Sequence, residues 1–323
     1  MKIPGVPPSE LPDLVRAEDR ISFLYLERSV IHRDSNAITA ADDQGVMHIP
    51  AASVGVLMLG PGTTITHQAI ALLADHGATA VWVGERGVRY YAHGRSLASA
   101  NRLLAAQAAA VSHRDRRLAV ARAMYGVRFP GEDTSELNMQ QLRGKEGARV
   151  RRCYREHAER TGIHWRHRDY NPENFDDGDP VNQALSAANA CLYGIVHAVI
   201  VAVGAAPGLG FVHAGHERSF VYDIADLYKA EVTIPVAFDI AAGDSTDIGA
   251  DTRRAVRDRV HDGSIMNRCV RDIRSLLLTP QPTGEIDEGW LEPDHVKLWD
   301  ESGIELAGGR NYADDFEWDW EGP

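Results

Sequence analysis

Cysteine is scarce in this 323-residue chain, and its three copies, Cys153, Cys191 and Cys269, stand far apart. That spacing excludes a disulfide framework and the paired motifs of zinc ribbons or redox dithiols. Scattered thiols suit a reducing compartment, so a cytoplasmic protein is expected. The opening Met-Lys-Ile-Pro-Gly-Val-Pro-Pro lacks the apolar stretch of a signal peptide. Long hydrophobic runs are almost absent. The one candidate, residues 187–206, contains Asn189, Gly194 and His197 and stops at Pro207. Polar groups there would be costly in lipid, so a buried helix is expected and no membrane partner. No internal repeat is present.

Positive charge is also in deficit, with a formal net charge of −12. Taken alone, that argues against a nucleic-acid partner. The deficit is local, however. Residues 284–323 hold 13 Asp/Glu against Lys297 and Arg310, so the rest of the chain is close to neutral. Within that remainder, residues 143–168 hold nine Lys/Arg against Glu146, Glu156 and Glu159. A basic stripe therefore lies in a body whose acidity belongs to its tail.

The pattern changes twice along the chain. From Arg20 to about Ala92 the runs are short and strand-like: Ile21–Leu26, Val46–Ile49, Val54–Leu59, Ala80–Val83 and Val88–Tyr91. One helix fits among them, from Thr66 to a stop at Gly77. From Leu97 to Val127 alanine, leucine and arginine recur at helical spacing. Further helices are expected over Glu136–Arg160, 181–204, 219–230 and 250–278, with a loop at 163–180. The expectation is an α+β protein: a β-rich N-terminal domain (1–95), an all-α catalytic domain (96–280), and a linker with an acidic C-terminal tail (281–323). Within the tail, Val296–Trp299 and Ile304–Leu306 read as a hairpin.

The most informative segment is His213-Ala-Gly-His-Glu-Arg-Ser-Phe-Val-Tyr-Asp223-Ile-Ala-Asp226-Leu-Tyr-Lys229. Ser219 reads as the cap of a helix that carries Asp223 and Asp226 one turn apart on one face. Upstream, Glu146 lies between Gly144 and Gly147 in an arginine-rich helix. Each glycine costs about 1 kcal/mol relative to alanine, which suggests a packing or close-approach reason. Imidazole and carboxylates from separate segments form a ligand set for a divalent cation acting on phosphate esters. The carboxylates suit Mg²⁺ or Mn²⁺, and the imidazole favours Mn²⁺. The competing readings are that acids near a helix N-terminus are common because the macrodipole stabilises them, and that His213 is a satisfied core histidine. A zinc site on His213 and His216 lacks a third nitrogen or sulfur ligand.

Gln141-Leu-Arg-Gly-Lys-Glu146-Gly, Asn182-Gln-Ala-Leu-Ser-Ala, Cys191-Leu-Tyr-Gly194, Gly210-Phe-Val-His213 and Ser219-Phe-Val-Tyr-Asp-Ile-Ala-Asp226 together resemble the CRISPR-associated integrase, the first of the two universal spacer-acquisition proteins, in its subtype I-E form. The likeness spans about residues 15–275. It includes Leu59-Gly-Pro-Gly62 and Val81-Trp-Val-Gly-Glu85 in the β region. The resemblance implies a β-rich domain joined to an α-helical one, a homodimer, and a heterocomplex with the second acquisition protein. It also implies metal ligands at Glu146, His213 and Asp226, with Asp223 close by. His216 departs from the family pattern, which has lysine there, and this puts a phosphate or DNA-end contact in doubt.

The function so implied is metal-dependent transesterification. The 3′-hydroxyl of a short double-stranded DNA fragment, the prespacer, attacks the leader–repeat boundary and then the far side of the repeat. Water in place of the hydroxyl gives endonuclease activity. Candidate DNA-backbone contacts are Arg143, Arg149, Arg152, Arg155, Lys229, Arg253 and Arg257, against the reading of a solvated helix face paired to Glu156 and Glu159. Tyr170 and Phe175 are candidates for stacking on a splayed DNA end, or simple packing anchors. The tail admits three readings: docking on the partner through Trp318 and Trp320, covering the DNA groove, or disorder. Two other functional classes compete with an integrase: a non-catalytic DNA-binding scaffold and a stand-alone branched-DNA repair nuclease.

Overall fold

The computed structural model describes residues 23–87, 89–94, 101–168, 179–262, 264–278, 297–298 and 306–307. Contacts divide the chain into two compact units, Met1–Gln281 and Pro282–Pro323. The first unit opens with β1 (Phe23–Leu26), β2 (Val30–Asp34), β3 (Ala37–Asp42), β4 (Gly45–Pro50), β5 (Val56–Leu59), β6 (Thr64–Ile65), α1 (His67–Asp75), β7 (Thr79–Val83) and β8 (Tyr90–Gly94). One four-stranded sheet runs β1-β5-β7-β8, parallel except for β8. The other runs β4-β3-β2-β6, antiparallel except for β2 with β6.

Alternation along β5 explains how this region joins the next. Leu57 and Leu59 pack with Ile31, Ile38, Leu72 and Leu73, the last two from α1. Val56 and Met58 point the other way, joining Val81 and Val83 against Ala198 and Val201. Both faces of β5 are covered, so all four of its residues are buried. The α1 helix begins as expected, with the Thr66 hydroxyl accepting from the Ala69 N–H, and ends before Gly77 at φ 73°. β2 and β3 were not marked by any apolar run. They pair through a turn at Ser35, which adopts φ 55°.

The helical region comprises α2 (Arg102–Ser112), α3 (Arg114–Arg128), α4 (Met139–Thr161), α5 (Pro180–Ala202), α6 (Ser219–Asp226), α7 (Thr233–Ala242), α8 (Ile248–Asp262) and α9 (Ile265–Leu278). The chain is thus β-rich and then α-helical, as the change in composition predicts. Several details differ from expectation. The Leu97–Val127 run breaks at His113, which takes an extended backbone. The 250–278 run breaks at Ser264, with φ 48°. α7 was not expected, because Val232-Thr-Ile-Pro-Val mixes β-branched residues with proline. Pro235 falls in the first turn, where its missing N–H costs nothing.

α5 organises the interior. Asp179 caps it by accepting from the Asn182 N–H at 2.8 Å, and Pro180 occupies its first turn. The helix is long and apolar enough to cross a bilayer, yet 72% of its apolar window is buried within the protein. Leu192, Val196, Val199 and Ile200 pack with Phe211, Phe220, Ile224 and Ile273. This is a protein core, as the polar residues within the segment suggested.

In the second unit, β9 (Lys297–Leu298) and β10 (Leu306–Ala307) pair antiparallel, with Leu298 opposite Leu306. That is the ladder expected of the hairpin. Its turn residues, Trp318 and Trp320 lie outside the described residues, as do Tyr170 and Phe175.

Candidate active site

Four segments supply one pocket, lined by Tyr125 and Arg128 from α3, Glu146 from α4, His213 from the loop after α5, and Asp223 and Asp226 from α6. α4 starts at a capping box in which Asn138 accepts from the Gln141 N–H and the Gln141 side chain accepts from the Asn138 N–H. Leu142, one turn in, is buried against Tyr125 and Phe129. Glu146 lies one further turn along the same face, so the packing of Leu142 carries Glu146 toward α3. The flanking glycines have no close-approach role within the chain. A Cβ on Gly144 would meet nothing within 4 Å, and one on Gly147 would meet only the Arg151 guanidinium.

The loop that holds His213 is anchored from behind. Gln107 is fully buried on α2, donates to the carbonyls of Ala206 and Leu209, and accepts from the Ala206 N–H. Gly210 lets the chain fold back on itself: a Cβ there would lie 2.5 Å from the His213 carbonyl oxygen and 2.8 Å from Ser219. The N–H groups of Phe211, Val212 and His213 then converge on the Asp223 carboxylate at 2.5, 3.1 and 2.9 Å. Asp223 Oδ1 also accepts from His213 Nδ1 at 2.7 Å. Both oxygens of Asp223 already accept backbone N–H groups, so the carboxylate acts as acceptor here, Nδ1 carries the proton, and Nε2 is left as the ring's ligand atom. The hydrogen bond that the ring donates to Asp223 raises the pKa of His213 against the opposing pull of burial. The fully buried Asp223 side chain is thereby committed to positioning.

Ser219 corrects the expected cap. It is the first helical residue of α6, which has no side-chain cap. Its hydroxyl donates to the His216 carbonyl at 2.8 Å and accepts from the His216 N–H at 3.1 Å. His216 Nδ1 in turn accepts from the Arg218 N–H at 3.0 Å. His216 therefore helps shape the turn, and its ring lies 5.3 Å from that of Tyr222.

Glu146 and Asp226 each have a cation. Glu146 Oε2 accepts from the Tyr125 hydroxyl at 2.6 Å, and Oε1 accepts from Arg128. The same Arg128 nitrogen lies 3.9 Å from Asp226 Oδ2, while Lys229 Nζ lies 2.5 Å from Asp226 Oδ1 and 5.0 Å from the Tyr193 ring centre. Burial pushes the Tyr125 hydroxyl well above its usual range, helped by Glu146, so it remains a donor. Burial pulls Lys229 down, but Asp226 and Tyr193 outweigh it and keep the ammonium charged. Among the described residues, no three carboxylate, imidazole or thiolate groups are gathered closely enough to hold an ion as they stand. The donor set nevertheless fits one. It offers two carboxylates and an oriented imidazole, and the Arg128 guanidinium already places positive charge between the carboxylates.

The structure therefore brings Glu146, His213, Asp223 and Asp226 together. The proposed DNA contacts are more dispersed. Arg143, Arg152 and Arg155 are exposed on α4, with Arg152 donating to Glu156 at 2.8 Å. Arg149 pairs with Glu132 and lies 4.4 Å over the Phe129 ring. Lys229 faces inward onto Asp226. Arg253 and Arg257 are half-buried on α8, close enough to Cys191 of α5 to oppose the burial that pushes its thiol up to about 12. The chief residues missed by sequence reasoning are Tyr125, Arg128 and Gln107. The i,i+3 spacing of Tyr125 and Arg128 on one helical face was the available signal.

A sequence model of the family described as "CRISPR associated protein Cas1" matches residues 23–129 and 132–246. The chain is 49% identical over 304 residues to the CRISPR-associated endonuclease Cas1 of Clostridium sp. (strain SY8519), covering 94% of this chain and 99% of that protein. Among solved structures it is similar to TtCas1 in complex with DNA, at 41% identity and a TM-score of 0.77, covering 81% of this chain and 98% of that one. A casposase bound to its integration product shares the fold at 14% identity and a TM-score of 0.55, covering 85% of this chain and all of that one.

Proposed function

Because the chain belongs to the CRISPR-associated Cas1 family, we propose that it is a metal-dependent DNA endonuclease and integrase that inserts short DNA fragments into a CRISPR repeat array. The observation that carries this reading is the convergence of Glu146, His213 and Asp226 on one pocket from three segments, with Asp223 orienting the imidazole. The subtype I-E character, the homodimer, and the complex with a second acquisition protein are part of the same reading. Kinship with endonucleases and with a DNA-bound homologue supports it.

Glu146, His213 Nε2 and Asp226 are the groups that would hold Mg²⁺ or Mn²⁺. Such an ion, when bound, supplies Lewis acidity at the scissile phosphate and lowers the pKa of an attacking hydroxyl. The chain's own groups do the rest. Asp223 fixes the imidazole tautomer. Tyr125 holds Glu146 in place as a neutral donor. The exposed arginines of α4 offer charge to the duplex backbone, which would make binding fall with salt at a log–log slope of roughly −0.9 per neutralised phosphate. One phosphodiester replaces another, so no external energy source enters the balance.

The test is strand transfer of a labelled duplex fragment into a repeat-bearing plasmid, with Mn²⁺, for Glu146→Ala, His213→Ala and Asp226→Ala. Each should lose more than the roughly 10–100-fold expected from losing a supporting partner. Wild-type activity in all three would leave only a DNA-binding scaffold. Full activity without the second acquisition protein, on branched DNA alone, would indicate a stand-alone nuclease.

A further inference from the structure

We propose that Arg128 is the resident counter-cation of this pocket, and that its guanidinium must leave the gap between Glu146 and Asp226 before a divalent ion can bind there. The inference rests on the metal reading above. It concerns a residue on a different helix, outside the proposed ligand set.

The electrostatics identify Arg128 as the group in the way. Of the three pocket carboxylates, Asp223 is satisfied by three backbone N–H groups and the His213 ring. Asp226 Oδ1 has Lys229 at 2.5 Å. Glu146 has the Tyr125 hydroxyl and Arg128. Arg128 is the one of these cations that reaches both Glu146 and Asp226, since its Nη1 bonds to Glu146 Oε1 and lies 3.9 Å from Asp226 Oδ2. An ion ligated by both carboxylates would need oxygens at about 2.0–2.1 Å for Mg²⁺. The nitrogen that bonds Glu146 and lies 3.9 Å from Asp226 stands between the two carboxylates, so drawing them onto one ion would displace it.

Deprotonation cannot clear that space, because guanidinium stays charged in proteins. Exchange must therefore be a movement of the side chain. Arg128 ends α3 with its side chain 10% exposed, and its guanidinium carbon lies 5.4 Å from the Phe129 ring centre. With neither Arg128 nor an ion in the gap, Glu146 would keep only the Tyr125 hydroxyl and Asp226 only Lys229. Arg128 thus stabilises the metal-free protein and weakens metal binding by direct competition and like-charge repulsion.

The experiment is a titration of purified, metal-free full-length protein with Mn²⁺, read by electron paramagnetic resonance, alongside thermal melts with and without Mn²⁺. Arg128→Gln should bind Mn²⁺ about ten-fold tighter or more than wild type, as expected for removal of a like charge within a few ångströms. Its metal-free form should melt at a lower temperature and gain more from Mn²⁺. Arg128→Lys keeps the charge but not the fork, and should fall between the two. If Arg128→Gln does not yield folded metal-free protein, tightening in Arg128→Lys alone decides the matter. Glu146→Ala serves as the control for the site itself. If it leaves Mn²⁺ affinity unchanged, the metal reading fails. If it abolishes binding while the folded Arg128 variants bind no tighter than wild type, the competition proposal fails and the metal site stands.

Discussion

Asp223 grips His213 twice, accepting from its backbone N–H at 2.9 Å and from its ring Nδ1 at 2.7 Å through the same Oδ1. The other oxygen takes the N–H groups of Phe211 and Val212. A single buried carboxylate therefore shapes the turn and sets the tautomer of the histidine that the turn presents. Loop geometry and imidazole chemistry are coupled through one group.

Asp223→Ala would strand three backbone donors and the ring, at a cost of about 2–4 kcal/mol. Asp223→Asn should also be damaging, because its amide would set an N–H₂ donor against backbone donors. Urea midpoints with unchanged slopes will measure both. An Asp223→Asn protein as stable as wild type would refute the assigned role.

Tyr125→Phe removes one of the two partners of Glu146 and should cost about 1 kcal/mol. Nuclease activity should fall by about 10–100-fold, as for loss of a partner that orients a ligand. Burial raises the Tyr125 pKa, so its hydroxyl remains protonated through neutral and mildly alkaline pH. The ratio of wild-type to Tyr125→Phe activity should therefore be flat from about pH 6 to pH 9. A ratio that changes steeply across that range would assign Tyr125 a proton-transfer role.

His197 of α5 stacks on Tyr90 of β8, with ring centres 3.8 Å apart, and burial pulls its pKa down to about 4 from 6.5. Between those values the unfolded chain holds a proton that the folded protein does not. Stability therefore falls as pH drops from 6.5 to 4, and the group contributes no slope above that window. Chemical denaturation of wild type and His197→Gln across this range should show a flatter profile for the variant, by about 1–3 kcal/mol over the window. Parallel profiles would contradict the shift.

Gly210→Ala forces a Cβ against the His213 carbonyl and Ser219, both held by rigid backbone. Destabilisation of about 1–3 kcal/mol is expected from such overpacking. Because the strain falls on the turn that presents His213, Mn²⁺ affinity should drop in the folded fraction. Thermal melts and metal titration on the same preparation will check both effects. An unchanged melting temperature would mean that the turn relaxes freely.

Where a local signal existed, the sequence was legible. The Thr66 cap and Gly77 stop bounded α1 closely, because capping and left-handed termination involve only neighbouring residues. β2 and β3 escaped notice because Ala-Ile-Thr-Ala-Ala-Asp has little apolar contrast until a partner strand covers Ile38. α7 was hidden for the opposite reason. Its β-branched residues and proline disfavour an isolated helix, and burial against α5 overrides that preference.

By itself the sequence determined the order of β-rich and helical regions, the placement of charge, and the identity of the carboxylates and imidazole in the pocket. The first two follow from composition and from interactions within a few residues of one another. The carboxylates and imidazole, far apart in the chain, were joined by their ligand chemistry and by the resemblance their motifs carry. The tertiary structure alone decided which counter-charge each carboxylate receives: backbone N–H groups for Asp223, Lys229 for Asp226, Arg128 and Tyr125 for Glu146. Electrostatic and hydrogen-bond energies depend on separations of a few ångströms and on local exclusion of water. Between helices distant in sequence, only packing sets those separations.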